Sequence, residues 1–374
     1  MKRSFLKKHG LGLAMVSVAA VLTVGIMGCG VEETPLAPTQ STDHSAAMLE
    51  GALKRTMATQ DRHTAALMAD PDVVGTATTL DGNGNPAVMI MAKSQRALNA
   101  APTEIEGIPV IAVYTDQPVA LKGSGGGGGG GVSHKAIQTP PIQMGTSGGW
   151  RYDLANGYCC GGTLGALVNR SGSQYVLSNY HVLEADIVNG GNSRVAQAGD
   201  PVIQPGLIDI NCNANSSQNV ATLSGIKTLP GSNVDAAIAQ VIPGMVRTDG
   251  SILAIGTISS STIAATVGQA VKKSGRTTGL TRNSVVALNA TINIAYENEC
   301  AGGQSFVKTF TGQIVIGNNG SKFLAGGDSG SLLVQDVTTN PRAIGLLFAG
   351  SSFYAYANPI GQVLSQLNAT MVGN

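Results

Sequence analysis

Short apolar runs, each bounded by Gly, Asn, Asp or Pro, recur along the last two thirds of this chain and predict strand after strand. Candidate strands from about Met144 onward cover 163–168, 174–178, 201–204, 220–226, 235–241, 269–273, 283–294, 306–316, 331–335, 343–348 and 353–357. Turn signals such as Asn169-Arg-Ser-Gly172 and Gly317-Asn-Asn-Gly320 separate them. The pattern then changes period: Ile360, Val363, Leu364 and Leu367 predict a terminal helix over 360–367. Many short strands and one terminal helix suit a two-barrel protein better than a sandwich.

The front of the chain carries a different pattern. Residues 46–69 read as helix, with Leu49, Leu53 and Met57 at four-residue spacing and Asp70-Pro71 at the end. Strands at 73–79 and 87–91 flank the turn Asp81-Gly-Asn-Gly-Asn85, and 108–114 offers a third. These elements predict a small α+β module over 46–120. Behind it, 121–145 contains Gly123-Ser124 followed by glycines to Gly131, then Thr139-Pro-Pro141, the composition of a linker. The body 146–374 follows.

Composition narrows the function. Charged residues make up only 12% of the chain and the formal charge is +1, so no basic field exists to gather nucleic acid. Residues 1–28 combine a basic start, an apolar stretch from Leu11 to Ile26, and Ile26-Met-Gly before Cys29. The stretch is short for a spanning helix and resembles the lipobox of bacterial lipoproteins. That resemblance implies export, a lipid on Cys29 anchoring the chain to a membrane, and a polar tether over 29–45. An ordinary secretory signal is the alternative. Without Cys29, four cysteines remain, Cys159, Cys160, Cys212 and Cys300, an even number for an oxidising compartment. Adjacent cysteines rarely bridge each other. Two pairings stay open: Cys159 with Cys212 and Cys160 with Cys300, or the reverse. Zinc competes as an explanation, but paired CxxC units are missing.

Three polar residues stand out against apolar surroundings. His181 is the only histidine in 146–374 and follows Tyr175-Val-Leu-Ser-Asn-Tyr. Asp235 sits in the otherwise uncharged Asn233-Val-Asp-Ala-Ala-Ile, and Ser329 sits in Gly326-Gly-Asp-Ser-Gly-Ser. A hydroxyl needs a base to take its proton, and the imidazole base needs a carboxylate to fix its tautomer. Asp209, in Leu207-Ile-Asp-Ile, is the rival carboxylate; Asp186 is too close to His181, and Asp200 and Asp249 lie in turn-like sequence. Arg276 has no assignable role.

His181, Asp235 and Ser329 are separated by 54 and 94 positions, in the order of the chymotrypsin-like serine proteases, which this region resembles from about 163 to 367. Gly327-Asp-Ser-Gly330 is similar to their nucleophile turn. Leu177-Ser-Asn-Tyr-His181 and Val234-Asp235-Ala-Ala-Ile resemble segments of bacterial high-temperature-requirement proteases, and Ser274-Gly-Arg-Thr-Thr-Gly279 resembles a stretch of streptogrisins and α-lytic protease. The resemblance implies a mainly β, chymotrypsin-like double β-barrel with a C-terminal helix, preceded by the α+β module. It favours Asp235 over Asp209 as orienter. It also implies an oxyanion hole from the amides of Gly327 and Ser329, where a Cβ at Gly327 would hinder the geometry.

The implied activity is that of an exported serine endopeptidase acting on protein or peptide substrates through an acyl-enzyme, with no metal or organic cofactor. A protease-shaped binding protein and an esterase with the same triad are the alternatives. No Ile-Val-Gly-Gly start occurs near 140–165, so Asp328 must find another partner or a different turn geometry. Val182 replaces the usual cysteine after the histidine, which favours the bacterial branch. By resemblance the primary pocket is lined by residues just before Gly326, Phe323 among them, and by Phe348-Ala-Gly350. No acid lies in Ser321-Lys-Phe-Leu-Ala, so a small or apolar residue is the expected preference. The front module is expected to be either a pro-domain or a substrate- or cell-wall-binding module.

Overall fold

A computed structural model describes residues 40–121, 133–155, 158–183, 196–226, 228–296 and 305–374. The signal segment 1–28, Cys29, most of the tether 29–45, Asp186, Cys300 and residues 122–132 of the linker lie outside the described residues. Met1–His44 forms one unit, of which only the start of the helix Gln40–Leu67 is described, and Ser45–Asn374 forms the other. Among the described residues no helix is long and apolar enough to cross a membrane.

The second unit is built on two rings of antiparallel strands. In the first, Ala166–Arg170 pairs with Ser173–Ser178, which pairs with Ala237–Val241; then come Gln218–Leu223, Pro201–Gln204, Thr146–Trp150 and Gly162–Leu164. Gly162–Leu164 and Ala166–Arg170 are one run of chain interrupted at Gly165, so this sheet closes on itself. The interruption has a steric cause. A Cβ on Gly165 would stand 1.9 Å from the carbonyl oxygen of Gly330, so only glycine lets the turn at 327–330 pack against this strand.

The second ring runs Ala270–Gly275, Leu332–Gln335, Ala343–Gly350, Tyr354–Pro359, Phe306–Gly317 and Gly279–Tyr296, and pairing of the last with the first closes it. Alternation fits this geometry: Ile292, Ile294 and Tyr296 all turn into the core from one face of Gly279–Tyr296. The chain then makes the helix Ile360–Leu367, burying Ile360, Val363 and Leu367 as the period predicts, and Thr370–Met371 returns to pair with Ala166–Arg170.

The front elements form as the sequence pattern predicts, at Val73–Leu80, Pro86–Ala92 and Ile108–Tyr114, with an additional short helix Gln95–Ala100. Their placement differs from an isolated module. Val73–Leu80 pairs antiparallel with Gly279–Tyr296, so the front strands lengthen the sheet of the second ring. Ile108–Tyr114 runs parallel to Pro86–Ala92. The long helix also meets this sheet through polar groups, and its Leu53 and Met57 are half-buried. Leu49 is exposed, whereas Thr56, Thr59 and Gln60 are buried. The Gln60 amide donates to Thr76 Oγ1 at 3.2 Å and to the Asn289 carbonyl at 2.9 Å, and its oxygen accepts from Thr78 Oγ1. Buried amides survive only where such partners exist.

Candidate active site

His181 is carried by the short helix Tyr180–Leu183, directly after the strand Ser173–Ser178. Its Nδ1 lies 2.6 Å from Asp235 Oδ2, and its backbone N–H donates to Asp235 Oδ1 at 3.2 Å. Opposite an ionised carboxylate, Nδ1 must carry the proton of the neutral ring, so Nε2 presents a lone pair. Nε2 is buried with no hydrogen-bond partner among the described residues.

The Asp235 backbone is clamped from both sides. Asn179 Nδ2 donates to its carbonyl at 2.7 Å, and its N–H donates to Asn358 Oδ1 at 2.9 Å. Tyr296 adds a contact that no sequence pattern indicates: its hydroxyl donates to Asp235 Oδ2 at 2.8 Å, and its ring meets that of His181 edge-on at 6.0 Å. Burial, with Asp235 beside it, pushes the Tyr296 hydroxyl well above its ordinary ionisation range, so it remains a donor. The carboxylate therefore receives three hydrogen bonds and is held in one orientation.

Asp209, the rival orienter, is committed elsewhere. Arg276 grips it with Nε at 2.7 Å and Nη2 at 2.6 Å, and Ser147 Oγ donates to it at 2.5 Å. A bidentate guanidinium fork is the strong form of such a pair, and both side chains are buried. This also gives Arg276 the role that sequence alone did not.

Ser329 lies on the turn entering Leu332–Gln335, with Gly327 and Gly330 at φ +92° and +91° on either side. A Cβ on Gly327 would meet Thr277 Oγ1 at 2.7 Å, and one on Gly330 would meet Thr163 O at 2.3 Å. Ser329 Oγ donates to the Phe348 carbonyl at 3.1 Å rather than to His181. The Gly327 amide donates to the Leu121 carbonyl at 2.9 Å.

Asp328 finds its partner inside the hairpin made by Ala270–Gly275 and Gly279–Tyr296. Lys273 Nζ stands 3.1 Å from Asp328 Oδ2, with both side chains fully buried. The amides of Thr277 and Thr278 donate to Oδ1 at 2.8 and 3.1 Å, and Thr278 Oγ1 and the Ala325 amide donate to Oδ2. Lys273 also donates to Thr278 Oγ1 and to the Gly279 carbonyl. Desolvation lowers the ammonium below its ordinary range, opposed by Asp328.

Cys159 and Cys212 form a disulfide, their Cα atoms 5.5 Å apart, which selects the first of the two pairings for that couple. Cys160 is likewise disulfide-bonded.

A family model described as the Nal1 C-terminal domain matches residues 232–356, a stretch holding Asp235 and Ser329. Glutamyl endopeptidase 2 of Streptomyces griseus is 37% identical over 122 residues, covering 28% of this chain and 64% of that protein. The chain thus spans under two thirds of the length of that relative. Among solved structures, a glutamic acid specific serine protease that utilizes a histidine triad in substrate binding aligns at 18% identity and TM-score 0.41, covering 62% of this chain and 100% of the other. Thermobifida fusca Protease A aligns at 18% identity and TM-score 0.40, covering 62% and 99%. The chain is similar to the bacterial chymotrypsin-like serine proteases. Its fold is mainly β, a double β-barrel with a C-terminal helix.

Proposed function

We propose that this protein is an exported serine endopeptidase, held at a membrane by a lipid on Cys29, with His181, Asp235 and Ser329 as its catalytic residues. The observation that carries the reading is the buried His181–Asp235 couple, at 2.6 Å, with Nε2 left open. A core histidine kept only for packing would place both ring nitrogens on partners, because a buried orphan acceptor costs about 1–3 kcal/mol.

In the proposed reaction, rotation of the Ser329 side chain exchanges the Phe348 carbonyl for Nε2 as acceptor. Oγ then attacks the substrate carbonyl while His181 takes its proton, and Asp235 stabilises the imidazolium. The amides of Gly327 and Ser329 receive the developing oxyanion. His181 returns the proton to the leaving amine, and water releases the acyl group by the same route. Tyr296 keeps Asp235 aimed at Nδ1.

Casein digestion by the purified chain tests this reading. Hydrolysis should be abolished in Ser329→Ala and in His181→Ala. A protein that binds casein without cutting it would be a protease-shaped binder, and one that cuts only small esters would be an esterase; either overturns the proposal.

A further inference from the structure

The cleft beside Ser329 is already filled by a stretch of the same chain. Val119–Ala120 pairs antiparallel with Ala343–Gly350, placing Ala120 opposite Ala349 and Val119 opposite Gly350. Leu121 extends the ladder: its N–H donates to the Phe348 carbonyl at 3.4 Å, and its own carbonyl accepts from Gly327 N–H at 2.9 Å. Phe348 O is also the acceptor of the Ser329 hydroxyl. The Leu121 peptide carbonyl therefore takes the Gly327 amide, one of the two assigned to a substrate oxygen, with the residues before it bound as an added strand.

The Leu121 side chain is equally well housed. It packs against the buried cluster that includes Val271, Phe323, Leu324 and Leu333. Gly350 makes room for it, since a Cβ there would come within 2.8 Å of Leu121 Cδ1. Of these, Phe323, Leu324 and Gly350 lie in the stretches that the resemblance assigns to the primary pocket. Upstream, the approach is pinned: Asp116 accepts from the Ser352 amide at 2.9 Å and from Ser352 Oγ at 2.7 Å, and Thr115 Oγ1 donates to Ser351 Oγ at 2.8 Å. Beyond Leu121 the sequence continues Lys122-Gly-Ser and then glycines to Gly131.

We infer that Leu121 is the chain's own first substrate residue: the protein cuts its Leu121–Lys122 bond, and its primary pocket selects leucine-like aliphatic side chains. The inference rests on the proposed function, and it names the substrate class of that site. In balanced form, Ser329 Oγ bonds to the Leu121 carbonyl carbon and gives its proton to His181. The bond to the Lys122 nitrogen breaks, and that nitrogen takes the proton. One water then adds to the ester, passing a proton through His181 back to Ser329, and leaves a Leu121 carboxylate. No other reactant is needed.

The cut leaves both parts in place. The front part keeps its pairing between Val73–Leu80 and Gly279–Tyr296, and the cysteines in the bonds described, Cys159, Cys160 and Cys212, all follow Lys122. The new carboxylate remains in the cleft, so the cut protein is still occupied until the front part unbinds.

The test uses the full chain. Intact-mass analysis of the purified protein should show two fragments, the second beginning at Lys122, that co-elute under native conditions and separate in denaturant. Ser329→Ala should stay whole. Formation should be first order and independent of protein concentration. Leu121→Glu should slow it by roughly tenfold or more, because a carboxylate in an apolar pocket lacks partners, while Leu121→Met should restore it. Peptide anilides with leucine as the acyl residue should likewise be cut at least about tenfold faster than those with glutamate there. A chain that digests casein but keeps Leu121–Lys122 intact, or that prefers glutamate, overturns the inference alone. A chain that neither cuts itself nor digests casein overturns the proposed function and the inference together.

Discussion

Lys273 and Asp328 lie 3.1 Å apart with neither side chain reaching solvent, one residue before Ser329. The pair does for the turn carrying Ser329 what a buried terminal amine would otherwise do, since it gives the aspartate before the serine a cation from inside the same barrel. The turn needs no cleavage event to acquire that charge. Asp328 in turn gathers the amides of Thr277, Thr278 and Ala325, tying the hairpin at 275–279 to the turn.

Lys273→Met should therefore be among the most damaging single substitutions, because it leaves a buried carboxylate without its cation. Removal of one partner from such a pair costs about 3–5 kcal/mol. Denaturant melts should show that loss. Lys308→Met, at a partly exposed site, should cost much less.

The two buried aspartates should separate in kind. Asp235→Asn should keep the fold and lower kcat on the order of 10⁴-fold, through the wrong histidine tautomer. Asp209→Asn should do the reverse, since it strips Arg276 of its charge partner. Its stability should fall, and kcat per folded molecule should hold within a few-fold of wild type. Parallel kinetics and melts distinguish the two.

Tyr296 gives a pH signature. Its hydroxyl ionises above the ordinary 10.0 in the folded chain, because of burial and then Asp235. Below that pH the proton is present in folded and unfolded chains alike, and the bond to Asp235 contributes fully, about 1.5–3 kcal/mol for a bond to a charged group. Above it the unfolded chain releases the proton while the folded chain retains it, so folding loses stability as pH rises. The stability gap between wild type and Tyr296→Phe should be constant up to about pH 9 and shrink from pH 10 upward. A gap that widens with pH would contradict the assignment.

Gly330→Ala should cost far more than Gly320→Ala, although both residues have positive φ, +91° and +71°. Gly320 has open space around its missing Cβ, so its variant bears only the backbone strain of about 1–2 kcal/mol. At Gly330 the methyl group also strikes Thr163 O and Ser178 Oγ. Thermal melts of the two variants should differ accordingly, and only the first should lose turnover.

Much of this architecture was legible because burial writes itself into local pattern. Ile360–Leu367 forms at the predicted bounds, and Pro201–Gln204 does so as well. His181 and Asp235 were legible as polar residues that an apolar run tolerates only when they are partnered. What local pattern lacks is the identity of a distant partner. Tyr296 meets Asp235 across 61 positions, and Arg276 meets Asp209 across 67. Neither has a neighbour in sequence that announces the contact. Thr146–Trp150 carries no strand signal, since Thr-Ser-Gly-Gly-Trp reads as a turn, yet Gly148 is required there: a Cβ would lie 2.4 Å from Leu164. The positions of the front strands along the chain are legible, but an unpaired sheet edge looks the same in sequence whichever sheet it joins.

The central claim is that folding makes Ser329 a nucleophile through His181. Reaction with a fluorophosphonate, read by intact mass and peptide mapping, tests it most directly. The account predicts one adduct per chain, on Ser329, absent in His181→Ala and in Ser329→Ala, with labelling faster once residues up to Leu121 have been removed. An adduct on any other residue, or undiminished labelling in His181→Ala, would contradict it.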